Sequence, residues 1–288
     1  MSFSPPSSRP VVVIGASGQL GTDLMKTLAG PEIIGLTHTQ LDITQAIPVN
    51  DALDQLKPYM VINTAAFNLV DECEFHPDRG LAVNAIGAYN LATACRSCGA
   101  ILVHFSTDYV FDGNQAEPYT EEDHPHPISA YGISKLAGEL FVRYILERQF
   151  VIRTSGLYGK VGSRGKGGNF VESMLRLGRE GRSIKVVNDQ TLSPTYTLDL
   201  ARKVCELVSH EEFGLYHITA GGACTWHQFA QKVFEYSGIA ADLSSTTSQE
   251  YGSPAKRPPY SVLRSRRLQQ IGLAPLRPWH DALREYLL

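Results

Sequence analysis

Tyr131 and Lys135 stand four residues apart, a spacing that puts both side chains on one face of a helix. Reducing a ketone takes a hydride on carbon and a proton on oxygen, and a Tyr hydroxyl can give the proton. Its usual pKa of about 10 makes it a reluctant acid. An ammonium about 4 Å away favours the tyrosinate by about 4 kcal/mol at an effective dielectric near 20, which draws the phenol toward the working range. Lys135 can do this and also hydrogen-bond a cofactor ribose. Thr107, upstream, is the candidate to hold the carbonyl oxygen. Chance alone yields about 0.4 Tyr–Lys pairs at this spacing in a chain of this composition, so the pair needs its context. By itself it fits a core aromatic beside a solvated helix charge equally well.

The context is a second constellation. Gly15-Ala16-Ser17-Gly18-Gln19-Leu20-Gly21 follows directly on the apolar run Val11-Val12-Val13-Ile14. Strand, glycine turn and helix start in that order make a pyrophosphate site: the first glycine for the tight turn, the second for backbone approach, the third for close helix packing. The free N–H groups of the helix start attract the anion. The end of the second strand holds Thr37-His38 rather than a ribose-reading carboxylate, which leaves NADH against NADPH open; Asp42 is placed to approach the adenine instead.

These residues need a scaffold. Apolar runs predict strands over 11–14, 33–36, 60–62, 101–105 and 150–152, alternating with helices over 19–28, 52–56, 81–97 and 131–146. This is the pattern of βαβ units and a parallel sheet, a Rossmann-type doubly wound α/β fold. It puts Thr107 at the carboxyl end of the fourth strand, where open α/β sheets bind ligands. Residues 160–168 read as a mobile loop. Helices over 170–179, 198–208 and 226–236 and strands over 184–187 and 215–218 follow, and 244–259 reads as polar, Pro-rich loop. The expected division is a nucleotide-binding domain over 10–155, with part of 190–220 returning to it, and a smaller α/β substrate lobe over 156–288.

Hydrophobic residues make up 43% of the 288 and charged residues 19%, ordinary for a globular enzyme. The net charge of −3 gives no basic excess for nucleic acid. No apolar run reaches the roughly 18–20 residues of a membrane span, and residues 1–10 lack the apolar core of a signal peptide. Five scattered cysteines point to reduced thiols and a cytoplasmic setting. Cys95 and Cys98 have no second ligand pair at zinc spacing, and read as buried, inert thiols.

The sequence resembles the dTDP-4-dehydrorhamnose reductases of the extended short-chain dehydrogenase superfamily over nearly its full length. The resemblance rests on Gly18-Gln-Leu-Gly21, Val83-Asn84-Ala85, Ser106-Thr-Asp-Tyr-Val-Phe-Asp-Gly113, Tyr131-Gly-Ile-Ser-Lys-Leu-Ala-Gly-Glu139, Arg153-Thr154, Asp189-Gln190 and Arg257-Pro258. Tyr109 follows Thr107-Asp108 where related dehydratases carry Glu, which favours simple reduction. The resemblance implies Thr107, Tyr131 and Lys135 as the catalytic triad. It implies a cofactor, NADPH or NADH, lined by Gly15, Ser17, Gly18, Gln19, Leu20, Gly21, Asp42, Ile43, Ala65 and Ala66. It implies a nucleotide-sugar substrate against Val70, Asp108, Tyr109, Gly156 and Arg257. The reaction would be reduction of the C4 keto group of dTDP-4-dehydro-L-rhamnose by a monomer or homodimer. Some relatives hold Mg²⁺ through carboxylates at a dimer contact; no convincing set is found here, and no metal is expected.

Four departures bear on the sugar. Gly156 replaces a Trp, which implies a more open pocket; Phe67-Asn68 and Thr191-Leu192-Ser193 also differ, and the 160–168 loop is longer. The competing readings are a reductase of another NDP-4-keto-6-deoxysugar, an epimerase that retains its cofactor, and a non-catalytic relative such as a regulatory subunit of methionine adenosyltransferase. The intact Thr107, Tyr131 and Lys135 weigh against the last.

Overall fold

The computed structural model describes residues 9–28, 32–161 and 167–288. The mobile-loop expectation for 160–168 and the N-terminal reading of 1–10 fall mostly on residues outside this set. The first half alternates strand and helix: β1 (Val11–Ile14), α1 (Gln19–Thr27), β2 (Ile33–Leu36), α2 (Ala46–Leu56), β3 (Met60–Asn63), α3 (Val70–Phe75), α4 (Pro77–Leu81), a π-turn (Ala82–Ile86), α5 (Gly87–Cys98), β4 (Ile101–Thr107), a 3-10 turn (Asp108–Val110), α6 (Ala130–Ile145) and β5 (Gln149–Thr154). The second half runs β6 (Leu157–Tyr158), α7 (Phe170–Arg179), β7 (Ile184–Val187), β8 (Thr191–Leu192), β9 (Thr195–Tyr196), α8 (Thr197–Val208), β10 (Gly214–His217), β11 (Cys224–Thr225), α9 (Trp226–Ser237), β12 (Leu243–Thr246), α10 (Ser248–Tyr251), α11 (Arg267–Gln270) and α12 (Trp279–Leu287).

Six strands form one parallel sheet in the order β10-β5-β4-β3-β1-β2. The order reverses at β1, which is where a doubly wound sheet opens a crevice for a nucleotide. The central strands are buried along their whole length, because helices cover both faces. Val11, Val13, Ile62 and Val103 face α1 and α8. Val12, Val61 and Leu102 face α2, α5 and α6. A third core joins α7, β7, α9 and α12 around Phe229, Val233, Trp279 and Leu283. Each side chain so buried contributes about 1.5–3 kcal/mol.

Three expectations need correction. The helix over 81–97 is α4, a π-turn and α5; the wide turn carries Asn84 inward, and such bulges concentrate at functional sites. The helix over 52–56 starts earlier, at Ala46. Residues 244–259 are not all loop: β12 pairs in parallel with β7, and Thr247 and Glu250 cap α10 reciprocally.

Candidate active site

The glycine turn is packed as tightly as its spacing implies. Gly15 has φ +78°, and a Cβ there would lie 2.7 Å from Thr64 Oγ1 and 2.9 Å from the Ala65 nitrogen. A Cβ on Gly21 would meet the Gly15 carbonyl at 2.2 Å, so only glycine lets α1 start this close to β1. No side chain caps the start of α1, and the buried Gln19 Oε1 has no hydrogen-bond partner. Uncapped N–H groups and an orphaned polar atom at a glycine turn are what a dinucleotide pyrophosphate would satisfy. The residues fit that group. Leu20 and Ile43 turn their side chains into the core, so their approach to a cofactor is through backbone. The Asp42 carboxylate accepts hydrogen bonds from the Thr44 N–H and hydroxyl, which keep it below the usual carboxylate range. The Asn63 side chain accepts from the Ala65 N–H at 3.1 Å, fixing the end of β3 beside the turn; Ala66 beyond it is exposed.

The catalytic candidates come together at the adjacent carboxyl ends of β4 and β5. Ser129 caps α6 by accepting from the Gly132 N–H, so Tyr131 lies in the first turn. A Cβ on Gly132 would sit 2.3 Å from the Tyr109 carbonyl, which shows how closely α6 meets the turn after Thr107. The rings of Tyr131 and Tyr109 meet edge to face at 5.9 Å. Burial and the charge of Asp108 push the Tyr131 hydroxyl well above its ordinary value, opposed by its hydrogen bond with Thr107. The expected lowering by Lys135 is not seen. Lys135 is 3% exposed and donates to the Phe105 carbonyl at 2.6 Å. Burial brings it down to about 8, against an upward pull from Glu139. A phenol with a raised pKa stays protonated, which suits an acid that must hold its proton until the oxyanion develops.

Thr107 is held in a small network. Its hydroxyl donates to Asp108 Oδ1 at 3.0 Å and accepts from the Tyr109 N–H at 3.2 Å. The hydrogen bond that lowers the phenol has Thr107 donating to the Tyr131 oxygen, so this rotatable hydroxyl serves either Asp108 or the oxygen side of the site. Asp108, 2% exposed, accepts at its other oxygen from Ser155 at 2.7 Å and Ser261 at 2.6 Å. Its carboxylate is therefore used up within the protein rather than offered to a sugar. Burial raises its pKa and the three hydroxyls oppose this.

Arg257 reaches the same region but is already paired. Its guanidinium binds both oxygens of Asp71, at 3.1 and 2.9 Å, and a hydrogen bond joins it to Tyr109. Val70, at the start of α3, is half-buried beside Asp71. Gly156 has φ +55°, and a Cβ there would meet Leu192 at 2.8 Å and the Pro194 Cα at 3.1 Å. A side chain at this position would crowd Leu192 and Pro194.

Sequence reasoning gave no role to Ser155, Ser261, Asp71 or Asn84. Asn84 holds the Phe67 backbone by both its N–H and its carbonyl and donates to Ser134 Oγ at 2.9 Å, tying that segment to the first turn of α6. Its place in Val83-Asn84-Ala85 was the one available signal. The two cysteines of the CxxC pair are free: Cys95 is fully buried and Cys98 half-buried, and burial raises both thiols. Among the described residues, no cluster of three or more His, Cys, Asp or Glu is placed to hold a metal, and no helix is long and apolar enough to cross a membrane.

Residues 9–288 match the family described as the RmlD substrate binding domain. The chain belongs to the dTDP-4-dehydrorhamnose reductase family. It is 41% identical over 284 residues to the dTDP-4-dehydrorhamnose reductase of Streptomyces griseus, covering 95% of this chain and 91% of that one. It is 44% identical over 279 residues to the spore coat polysaccharide biosynthesis protein SpsK of Bacillus subtilis (strain 168), covering 96% of each. The dTDP-4-dehydrorhamnose reductase of Bacillus anthracis, solved in complex with NADP, superposes with a TM-score of 0.93 at 38% identity over 99% of both chains. Family membership and the Rossmann-type sheet thus agree with the geometry of the glycine turn and of the Tyr131–Lys135 face.

Proposed function

We propose that the protein reduces the C4 keto group of dTDP-4-dehydro-L-rhamnose to dTDP-L-rhamnose, with Tyr131 as proton donor and NADPH or NADH as cofactor. The observation that carries this reading is the Tyr131 hydroxyl, kept protonated by burial and by Asp108, at the carboxyl ends of the sheet whose first strand opens onto the glycine turn. When bound, the reduced nicotinamide supplies the hydride. Gly15, Gly18 and the start of α1 would hold its pyrophosphate, Ala65 and Ala66 would flank it, and Lys135 would donate to its ribose. Tyr131 gives its proton to the carbonyl oxygen as charge develops there. Thr107 orients Tyr131 through their shared hydrogen bond, and Asp108 accepts from Thr107. Tyr109, Val70 and Arg257 edge the sugar-nucleotide side. Residues 10–155 together with α8 and β10 form the nucleotide-binding unit in this reading, and the remainder the substrate lobe.

A reductase of a different NDP-4-keto-6-deoxysugar is the second reading. It is favoured by Gly156, where Leu192 and Pro194 occupy the space that a larger side chain would need.

The test follows loss of the reduced-nicotinamide absorbance with dTDP-4-dehydro-L-rhamnose generated in place, using NADPH and NADH in parallel. Rapid oxidation with that sugar is expected. Cofactor binding without oxidation by it, but with turnover of another keto-sugar, would replace the first reading with the second. No turnover of any keto-sugar would overturn both.

A further inference from the structure

Glu139 and Arg153 form an ion pair with no direct part in the roles above. Glu139 is 0% and Arg153 1% exposed. Three contacts of 2.8, 2.9 and 3.2 Å join the guanidinium to both carboxylate oxygens. Replacing so deep a pair with apolar side chains of similar volume is often neutral or stabilising, so stability alone does not account for it. Its position does. Tyr131, Lys135 and Glu139 follow each other at four-residue steps along one face of α6. Lys135 has a single protein hydrogen-bond acceptor, the Phe105 carbonyl, in an interior where an ammonium without a counter-charge sheds its proton.

The surroundings of Lys135 contain few charges. From β4 the imidazole of His104 faces it, held neutral by burial and by the lysine's own charge. From α6 there is Glu139, and behind it Arg153 of β5, which also donates to His217 Nε2 at 3.4 Å. Asp108, Tyr109 and Cys73 act on Tyr131 instead. Among the described residues, Glu139 is thus the anion acting on the lysine.

We propose that Glu139, held by Arg153 one helical turn along the same face of α6, is a positioning residue that supplies the counter-charge of the buried Lys135 ammonium. This rests on the reading of Lys135 as a ligand of the cofactor ribose. Glu139 pulls the lysine upward against its burial, so without the carboxylate its value falls below about 8.

NADPH affinity, read by fluorescence titration of the full-length protein from about pH 6 to 9.5, tests it. Wild type should lose affinity as pH rises through about 8. Glu139→Gln should move that loss to lower pH by about one unit, giving about fivefold weaker binding at pH 8 and affinity within about twofold at pH 6. Because Glu139→Gln leaves Arg153 buried without its partner, Glu139→Gln/Arg153→Met is measured beside it; this variant carries no lone buried charge and decides the matter if the single one does not fold. Profiles that superpose on wild type, or a wild-type affinity flat across pH 8, would overturn the proposal while leaving the reductase reading in place. A wild type that shows the shift but oxidises no NADPH with any keto-sugar would instead sink the reductase reading.

Discussion

Tyr131→Phe should lower kcat by about 10²–10⁴-fold, the range for loss of a positioned proton donor, while NADPH affinity stays within about twofold. In activation free energy this is about 3–5 kcal/mol. The size follows from the absence of a substitute donor. Thr107 has its hydrogen on Asp108, and Asp108 is enclosed by hydroxyls. The lysine ammonium lies one turn further along α6 and donates to the Phe105 carbonyl. The phenyl ring keeps the edge-to-face contact with Tyr109, so the fold has little to lose. Stopped-flow oxidation of NADPH under saturating sugar separates the chemical step from binding. A variant within tenfold of wild type would remove Tyr131 from its assigned role.

Glu139→Ala should destabilise the protein by about 3–5 kcal/mol, the cost of leaving a buried guanidinium without its carboxylate. For a chain of this length that lowers the thermal midpoint by roughly 5–10 °C. Arg153 has few alternatives: what remains is the Phe111 ring, 5.1 Å from its guanidinium carbon, and His217 Nε2, whose ring is itself fixed by donating from Nδ1 to the Tyr119 carbonyl at 3.1 Å. Burial depresses His217 to about 4, so it is a neutral acceptor at ordinary pH. Differential scanning calorimetry with and without Arg153→Met checks the cause. If the second substitution does not recover most of the lost stability, the penalty does not come from the unpaired arginine.

The parts of this site that were legible in sequence are local ones. A glycine turn between an apolar strand and a helix, and a Tyr–Lys pair at helical spacing, carry their geometry within a few residues. The alternation of elements fixed the parallel sheet for the same reason. What escaped depends on residues far apart in the chain. The hydroxyls on Asp108 come from positions 155 and 261, and Arg257 meets Asp71 across 186 residues. No spacing rule connects such pairs. The lowering of Tyr131 failed because it weighed one neighbouring charge and neither burial nor the buried Asp108. Two misses had usable signals. Thr247 and Glu250 are a capping box inside what read as loop, and Trp279, Ala282, Leu283 and Tyr286 repeat at helical spacing in the final helix. Gly156 is the reverse case: a missing Trp suggested space, but a positive φ and the approach of Leu192 and Pro194 depend on the tertiary fold.

The edge position of β10 has a consequence for synthesis. β5 is complete at Thr154, yet the strand that covers its open side, Gly214–His217, leaves the ribosome about 60 residues later. At typical elongation rates that interval is roughly 3–12 s. During it the nascent chain carries an apolar strand, Phe150-Val151-Ile152, with unpaired backbone groups along one side, the kind of edge that recruits other chains. A fragment ending at residue 155 would hold that state permanently and should self-associate on size-exclusion chromatography; a monodisperse fragment would show that β5 tolerates an open flank. The strand that closes the six-stranded sheet is thus encoded beyond the segments that build its core, and the chain must be made almost three-quarters through before that sheet has both edges in place.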